Sequence, residues 1–470
     1  MALKGTHGDA APAGEGSDAM RAEADGRQIG YHPAAAWRSV IILLVFSLLS
    51  IMDRQIISLL VEPIKRDLGL SDTQLGLLQG LAFALMYSVA GLPIGWAVDR
   101  YPRRLIIYIG VTLWSLGAAS CGLALNFWQF FLGRTTVGIG EASVAPVTVS
   151  LIGDLFPPDK IGAPLGVYAA GYSIGSGIAF LVGGFVISLF AGAPTVDIPL
   201  FGPVASWQAV LIVTGLPGFA IALLAGLLSE PGRARAPVAS PVTAPAGEID
   251  TISGFLGARG RVVALSFAGF ALTTLGTYAV AGWTPAFLIR VHGLTAAQVG
   301  ARFGLVMGIA GAIGNFAGGV IIDRLYRAGH RDAALLVPGI AMLISAPFLV
   351  GAYFVPSATL ALALLALGFV PFNTAGPGSY TTWRMISPPS LRGRVTAAFV
   401  LVASLGGTGL GPLVVGALTD HLFGSVDKVG YSIALVLAVT MPLISLTLLL
   451  GRASLRAIGA SASQPLPTGR

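Results

Sequence analysis

Twelve apolar stretches, each long enough to cross a bilayer as a helix, leave this chain little room for any other fold. A helix needs about 20 apolar residues to span the hydrocarbon core. Such stretches fall at 39–61, 73–98, 105–124, 127–153, 163–190 and 207–228, then at 262–289, 297–322, 333–354, 358–383, 394–419 and 430–451. They are continuously apolar and do not alternate, which argues against a β-barrel. Only 10% of the residues are charged, whereas a soluble domain carries roughly 25%, so lipid has to be the solvent for most of the surface. The expected fold is an all-α membrane protein with twelve transmembrane helices in two six-helix bundles.

Orientation follows from lysine and arginine. With both termini cytoplasmic, 21 of the 28 basic residues fall in cytoplasmic segments and 5 on the other side, as the positive-inside rule requires. The net charge of +7 is then a consequence of topology and implies no nucleic acid. Residues 1–36 read as a disordered cytoplasmic tail without the apolar core and cleavage site of a signal peptide. Residues 37–228 form the first bundle and 261–452 the second, and 453–470 are a second tail. Between the bundles, 229–260 contain Pro231, Pro237, Pro241 and Pro245 among Ala, Ser and Arg, a composition that cannot bury enough apolar surface to fold alone. A single cysteine, Cys121, rules out an intramolecular disulfide and a thiolate metal cage. No cofactor or metal is expected.

The two halves echo one another. Gly95-Trp-Ala-Val-Asp99-Arg100 closes the second span and Gly319-Val-Ile-Ile-Asp323-Arg324 the eighth. Gly162 and Gly175 in the fifth span have the same spacing as Gly393 and Gly406 in the eleventh. Twelve spans, a long central loop and G-x-x-x-D-R after the second span resemble the major facilitator superfamily, over roughly residues 37–452. The motif continues as Tyr101-Pro102-Arg103-Arg104, with proline where the family pattern has glycine. Met52-Asp53-Arg54 in the first span, and Gly133-Arg134 through Gly138-Ile139-Gly140-Glu141-Ala142 in the fourth, are similar to the Spinster branch. That resemblance implies a bacterial-type homologue that moves sphingolipids or lysophospholipids. The fifth span lacks the proline of the usual antiporter motif, and Gly411-Pro412 with Gly416 in the eleventh comes nearer to it.

Four ionisable side chains lie well inside the spans: Asp53, Arg54, Arg134 and Glu141. On insertion scales each costs roughly 2.5–3.5 kcal/mol near a helix centre, where a leucine returns about 0.3–0.6. Intramembrane charges therefore mark functional sites. Arg134 and Glu141 are seven residues apart and share a helix face, and Asp53 falls between them in depth, so Asp53 is expected to approach Arg134. No histidine lies in a span, and a proton relay has to use Asp53, as the principal group, with Glu141 as its partner. A carboxylate poised between burial, which favours its neutral form, and arginine, which favours its charged form, changes protonation as helices move.

The second half carries no central charge. Tyr172, Tyr278, Asn373 and Tyr380 are its and the fifth span's candidates for lining a substrate path. Gly95, Asp99, Arg100 and Arg104, with Asp323 and Arg324, are candidates for a cytoplasmic gate. A charged half facing a weakly polar one suits an amphiphile. The expected function is a secondary transporter working by alternating access, proton-coupled, for lipid-like amphiphiles, with another organic solute as the alternative. The expected partners are a small amphiphilic or organic substrate, protons and membrane lipid. A monomer in the cell membrane is expected. The chain shows no nucleophile–base pair and no nucleotide loop, so neither an enzyme nor an ATP-driven pump is expected, and a scaffold has no use for charges this costly.

Overall fold

The computed structural model describes residues 32–157, 160–199, 201–231, 251–388 and 390–461. Most of the first tail, residues 232–250 of the linker and the last nine residues therefore lie outside the described residues. Among the rest, eleven helices are long and apolar enough to cross a membrane: α1 (Pro33–Leu59), α2 (Asp72–Val98), α3 (Arg103–Cys121), α4 (Phe127–Leu155), α6 (Ser206–Leu227), α7 (Ile252–Arg290), α8 (Ala296–Arg327), α9 (Ala333–Gly351), α10 (Ala358–Ile386), α11 (Arg392–Phe423) and α12 (Val426–Ile458). The twelfth is α5 (Gly162–Phe190). Several helices overrun the sequence-based bounds: α1 begins inside the segment read as tail, α7 inside the segment read as linker, and the last helix runs on to Ser461. Polar residues such as Arg259 and Arg261 continue a helix beyond the bilayer because hydropathy reports the solvent, whereas helix ends follow capping. Thr251 caps α7 by accepting from the Gly254 N–H at 3.1 Å.

One element departs from the all-helical expectation. Thr195–Ile198 (β1) and Gly202–Ala205 (β2) pair antiparallel between α5 and α6. Gly202 turns the chain at φ +74°, a conformation that suits glycine.

The helices pack as two related sets. In the first half α1 packs on α5, α2 on α4, and α3 on α4 and α6; in the second α7 packs on α11, α8 on α10, and α9 on α10 and α12. The relation extends to single residues. Ser71 caps α2 and Thr295 caps α8, each in a reciprocal capping box with the glutamine three residues on, Gln74 or Gln298. Such a box satisfies two otherwise orphaned backbone donors. Gly76 and Gly80 in α2 match Gly300 and Gly304 in α8 at the same offset.

Those glycines form the seams between halves. A methyl on Gly177 of α5 would stand 2.6 Å from the Gly304 carbonyl oxygen, and one on Gly300 would stand 2.5 Å from that of Phe180. Across the other seam, Gly76 and Gly80 of α2 lie against the backbone of Pro412 and Gly409 in α11. Only residues without a Cβ permit backbones this close. Helix α11 bends through π-helical turns at Ser404–Gly409 and Leu418–Phe423, unlike its counterpart α5. Such turns occur frequently at functional sites.

Candidate functional site

Call the end that carries the start of α1 and the end of α12 the terminal face. At the opposite face the halves are locked by charge. The Arg290 guanidinium at the end of α7 donates to Glu62 at 2.6 Å and to both oxygens of Asp72 at 2.6 and 2.9 Å. Lys65 adds a 2.5 Å contact to Asp72. Asp420, in the second π-helical turn of α11, accepts from the Thr73 N–H and hydroxyl, both at 2.6 Å, and from the Asp72 N–H at 3.2 Å. A carboxylate at the start of α2 also opposes the positive end of the helix dipole.

The terminal face is different. Nothing lies within 4 Å of a methyl placed on Gly91, Gly95, Gly162, Gly166 or Gly393. Arg100 stacks on Trp96, near the end of α2, at 4.1 Å. The candidate gate residues Gly95, Asp99 and Arg100 lie at this face with Asp323 and Arg324, at the ends of α2 and α8. Nearby, Arg103 is the buried anchor: its backbone N–H donates to Glu230 at 2.6 Å and its guanidinium pairs with Asp154. Arg104 reaches Glu230 only at 3.9 Å. The molecule is therefore closed at one end and parted at the other.

Between these ends lie the four intramembrane charges. Asp53, Arg134 and Glu141 are almost completely buried, at 4, 2 and 1% exposure. Arg54 pairs with Glu141 at 2.6 Å, and Ser50 joins the pair, donating to Glu141 at 2.6 Å and accepting from Arg54 at 2.8 Å. The same guanidinium reaches across to the Tyr278 hydroxyl of α7 at 3.3 Å and lies 4.7 Å from the centre of the Phe83 ring. Arg134 donates to the Leu78 carbonyl at 3.2 Å, and its guanidinium lies 5.5 Å from the same ring. The expected meeting of Asp53 with Arg134 is not made as an ion pair. Asp53 feels Glu141, Arg134 and Arg54 electrostatically but pairs closely with none of them. The physical reason is azimuth: adjacent residues on a helix point about 100° apart, and it is Arg54 that faces the carboxylate on α4.

Glu141 sits where α4 breaks at Ala142–Ser143, and Asn373 sits at the matching break in α10. The Asn373 amide donates to the Phe369 carbonyl of its own helix at 2.8 Å. Thr273 and Thr277 likewise bond their own backbone. Tyr380 is 71% exposed and within electrostatic reach of Tyr168 in the other half. The Tyr168 hydroxyl accepts from Ser47 at 2.6 Å. The side chain of Tyr172 lies outside the described residues. Ser50, Ser47, Glu62, Asp72, Arg290 and Asp420 were not anticipated from sequence.

Two halves related by a repeat, sealed together at one face and parted at the other around buried charge, define a membrane transporter that works by alternating access. The model of the Major Facilitator Superfamily matches residues 43–412, and the chain belongs to that superfamily. Within it the chain is similar to Protein spinster homolog 1 of Xenopus tropicalis, 29% identical over 403 residues, covering 82% of this chain and 73% of that protein. It is also similar to an MFS-type efflux pump of Mycolicibacterium smegmatis, 28% identical over 408 residues and covering 87% and 90% of the two chains. Among solved structures, a bacterial homologue of the human lysosomal transporter Spinster, in an inward-facing and unoccupied conformation, superposes with a TM-score of 0.75 at 25% identity, covering 93% of this chain and all of that one. A D-xylose–proton symporter shares the fold, with a TM-score of 0.64 at 17% identity.

Proposed function

We propose that this transporter moves lipid-like amphiphiles of the sphingolipid or lysophospholipid type, driven by protons. The observation that carries the reading is the one-sided polarity at mid-membrane. Arg54, Glu141, Ser50 and Asp53 line up on the first half, while the second half opposes them with Tyr278, backbone-bonded threonines and apolar surface. A polar headgroup suits the first wall and an acyl chain the second. Likeness to Spinster proteins supports the substrate class.

Proton coupling falls on Asp53 and Glu141. Glu141 shares Arg54 with Ser50, and protonating it removes the charge opposite the guanidinium, which then has a headgroup anion as its counter-charge. Arg134 sets the local field. Asp99, Asp323 and the neighbouring arginines act at the terminal face, which is cytoplasmic in this reading, when that face closes. The test is uptake into proteoliposomes of a lysophospholipid and sphingoid-base panel, with and without a pH gradient. Gradient-dependent uptake of at least one amphiphile is expected; none across the panel overturns the substrate reading. A second reading, export of another organic solute such as a drug, organic anion or sugar acid, is favoured by the likeness to the mycobacterial efflux pump, and the same assay with such solutes separates the two.

A further inference from the structure

We infer that α2, α3 and α4 enclose a hydrated path that carries protons from the terminal face to Glu141 behind the substrate cavity. The inference rests on the proton-coupling reading above. It begins with the two oxygens of Glu141. Oε2 is covered on the cavity side by Ser50 and Arg54. Oε1 is buried with no hydrogen-bond partner among the described residues. A proton arriving through the cavity meets a guanidinium first, so the open oxygen is the one turned away from it.

On α2, α3 and α4 other polar atoms are in the same condition. The Ser88 hydroxyl of α2, the Thr112 hydroxyl and Trp114 indole N–H of α3, and the Thr148 hydroxyl of α4 are all buried without a partner among the described residues. The Ser115 hydroxyl of α3, facing Gly218 of α6, is also unpartnered, but many span hydroxyls elsewhere bond their own helix. Thr273, Thr277, Thr382 and Thr440 each donate to the carbonyl one turn back. A buried polar group with no protein partner is satisfied by water.

The atoms follow one direction. The α3 backbone packs against Gly140, the residue before Glu141, where a methyl would meet the Trp114 backbone nitrogen at 2.6 Å. Tyr87, next to Ser88, lies against Gly138 with its nitrogen 3.2 Å from a methyl there. Thr148 is seven residues beyond Glu141, about 10 Å nearer the terminal face. There the Arg103 guanidinium leaves Nε and Nη1 buried and unpartnered beside Asp154, whose carboxylate is 32% exposed. Each water or hydroxyl accepts one proton and releases one, and Oε1 of Glu141 gains the O–H bond while Arg54 loses its counter-charge. The titratable and charged groups acting on Glu141 are Asp53 and Arg54 from α1, Tyr87 from α2 and Arg134 from α4 itself.

Two measurements test this. Trp114 and Trp283 are both fully buried, but the Trp283 indole donates to the Pro412 carbonyl at 2.8 Å. Radiolytic hydroxyl-radical footprinting in nanodiscs is expected to oxidise Trp114 and spare Trp283. Separately, a pH jump is followed by energy transfer between fluorophores placed across the α5–α8 seam. Thr148→Val with Ser88→Ala is expected to slow the response about tenfold and leave its equilibrium midpoint unchanged; Thr148→Ser restores the rate. A lost packing contact would move the midpoint instead. Equal protection of both tryptophans, or unslowed variants of a pH-responsive protein, overturns the path alone. A wild type that ignores pH overturns the coupling reading and the path with it.

Discussion

Arg290→Met removes the side chain that joins Glu62 and Asp72 to the second half at the sealed face. Its guanidinium is 3% exposed and makes contacts of 2.6 Å to Glu62 and of 2.6 and 2.9 Å to Asp72. Hydrogen bonds to charged groups contribute about 1.5–3 kcal/mol each, and they do not add here. Glu62 is 35% exposed, so solvent takes up most of that contact. Asp72 is fully buried and keeps Lys65 at 2.5 Å, which limits the loss on its side. A net loss of about 2–3 kcal/mol from the sealed state remains, equal to a roughly 30- to 100-fold change in the conformational ratio at 1.4 kcal/mol per tenfold. States separated by only a few kcal/mol exchange dominance under such a change. The assay is pulsed electron resonance between spin labels at Leu123→Cys and Asp427→Cys, on opposite halves of this face, in a Cys121→Ala background because Cys121 is the sole cysteine. A second, longer distance is expected to hold much of the distribution, with Arg290→Lys intermediate because it keeps charge but loses the two-pronged geometry. A distribution as short and narrow as that of the parent protein would refute the reasoning.

Asp53→Asn is expected to abolish pH-gradient-driven uptake in proteoliposomes while the protein still inserts and binds ligand, and Arg134→Ala to move the pH profile of uptake; normal gradient response in Asp53→Asn passes the role to Glu141 alone. Asp99→Asn is expected to slow turnover and spare equilibrium binding, because Asp99 lies on a face that is parted here and touches its neighbour only when that face closes. Ser240→Cys is expected to resist an impermeant thiol reagent added to intact cells, and efficient labelling would reverse the assigned orientation. Asp332, in the loop before α9, is buried, which by itself raises its carboxyl; hydrogen bonds and charge from Arg452 and Arg456 outweigh that and hold it below the ordinary carboxylate value. The sign follows: its stabilisation is present above the ordinary value and lost as pH falls through the lowered one. Asp332→Asn should lower the melting temperature at neutral pH, with the difference from wild type vanishing in strong acid.

That the intramembrane charges lie inside the helix bundle was legible in the sequence, and direction around each helix was not. Counting from span edges places Asp53 between Arg134 and Glu141 along the helices, and all three are buried. Which of Asp53 and Arg54 faces α4 depends on the rotation of α1, which tight packing against α5 fixes through contacts such as Leu48 under Gly175 and Ile56 under Gly183. In one dimension, Asp72 and Arg290 look like residues that merely stop a span at water. Their pairing joins positions 218 residues apart, and nothing local announces it. The repeat did announce one part: Ser71–Gln74 and Thr295–Gln298 start equivalent helices with the same cap. The π-helical turns of α11 carry no such mark, since Ser404–Gly409 reads as ordinary small-residue helix.

The glycine seams bear on how readily this scaffold changes its cargo. Closure at Gly177–Gly304 and Gly80–Gly409 is backbone against backbone, with no side chain between to be shaped by what passes. The lock is therefore indifferent to the solute. In the proposed reading, substitutions at Tyr278 or Tyr380 are expected to alter which molecule is accepted without disturbing the seal, whereas almost any substitution at the seam glycines is expected to disturb the seal whatever the molecule. Selection can work on recognition and on closure separately, so a lipid mover and a drug exporter can descend from one another through a few changes on one wall.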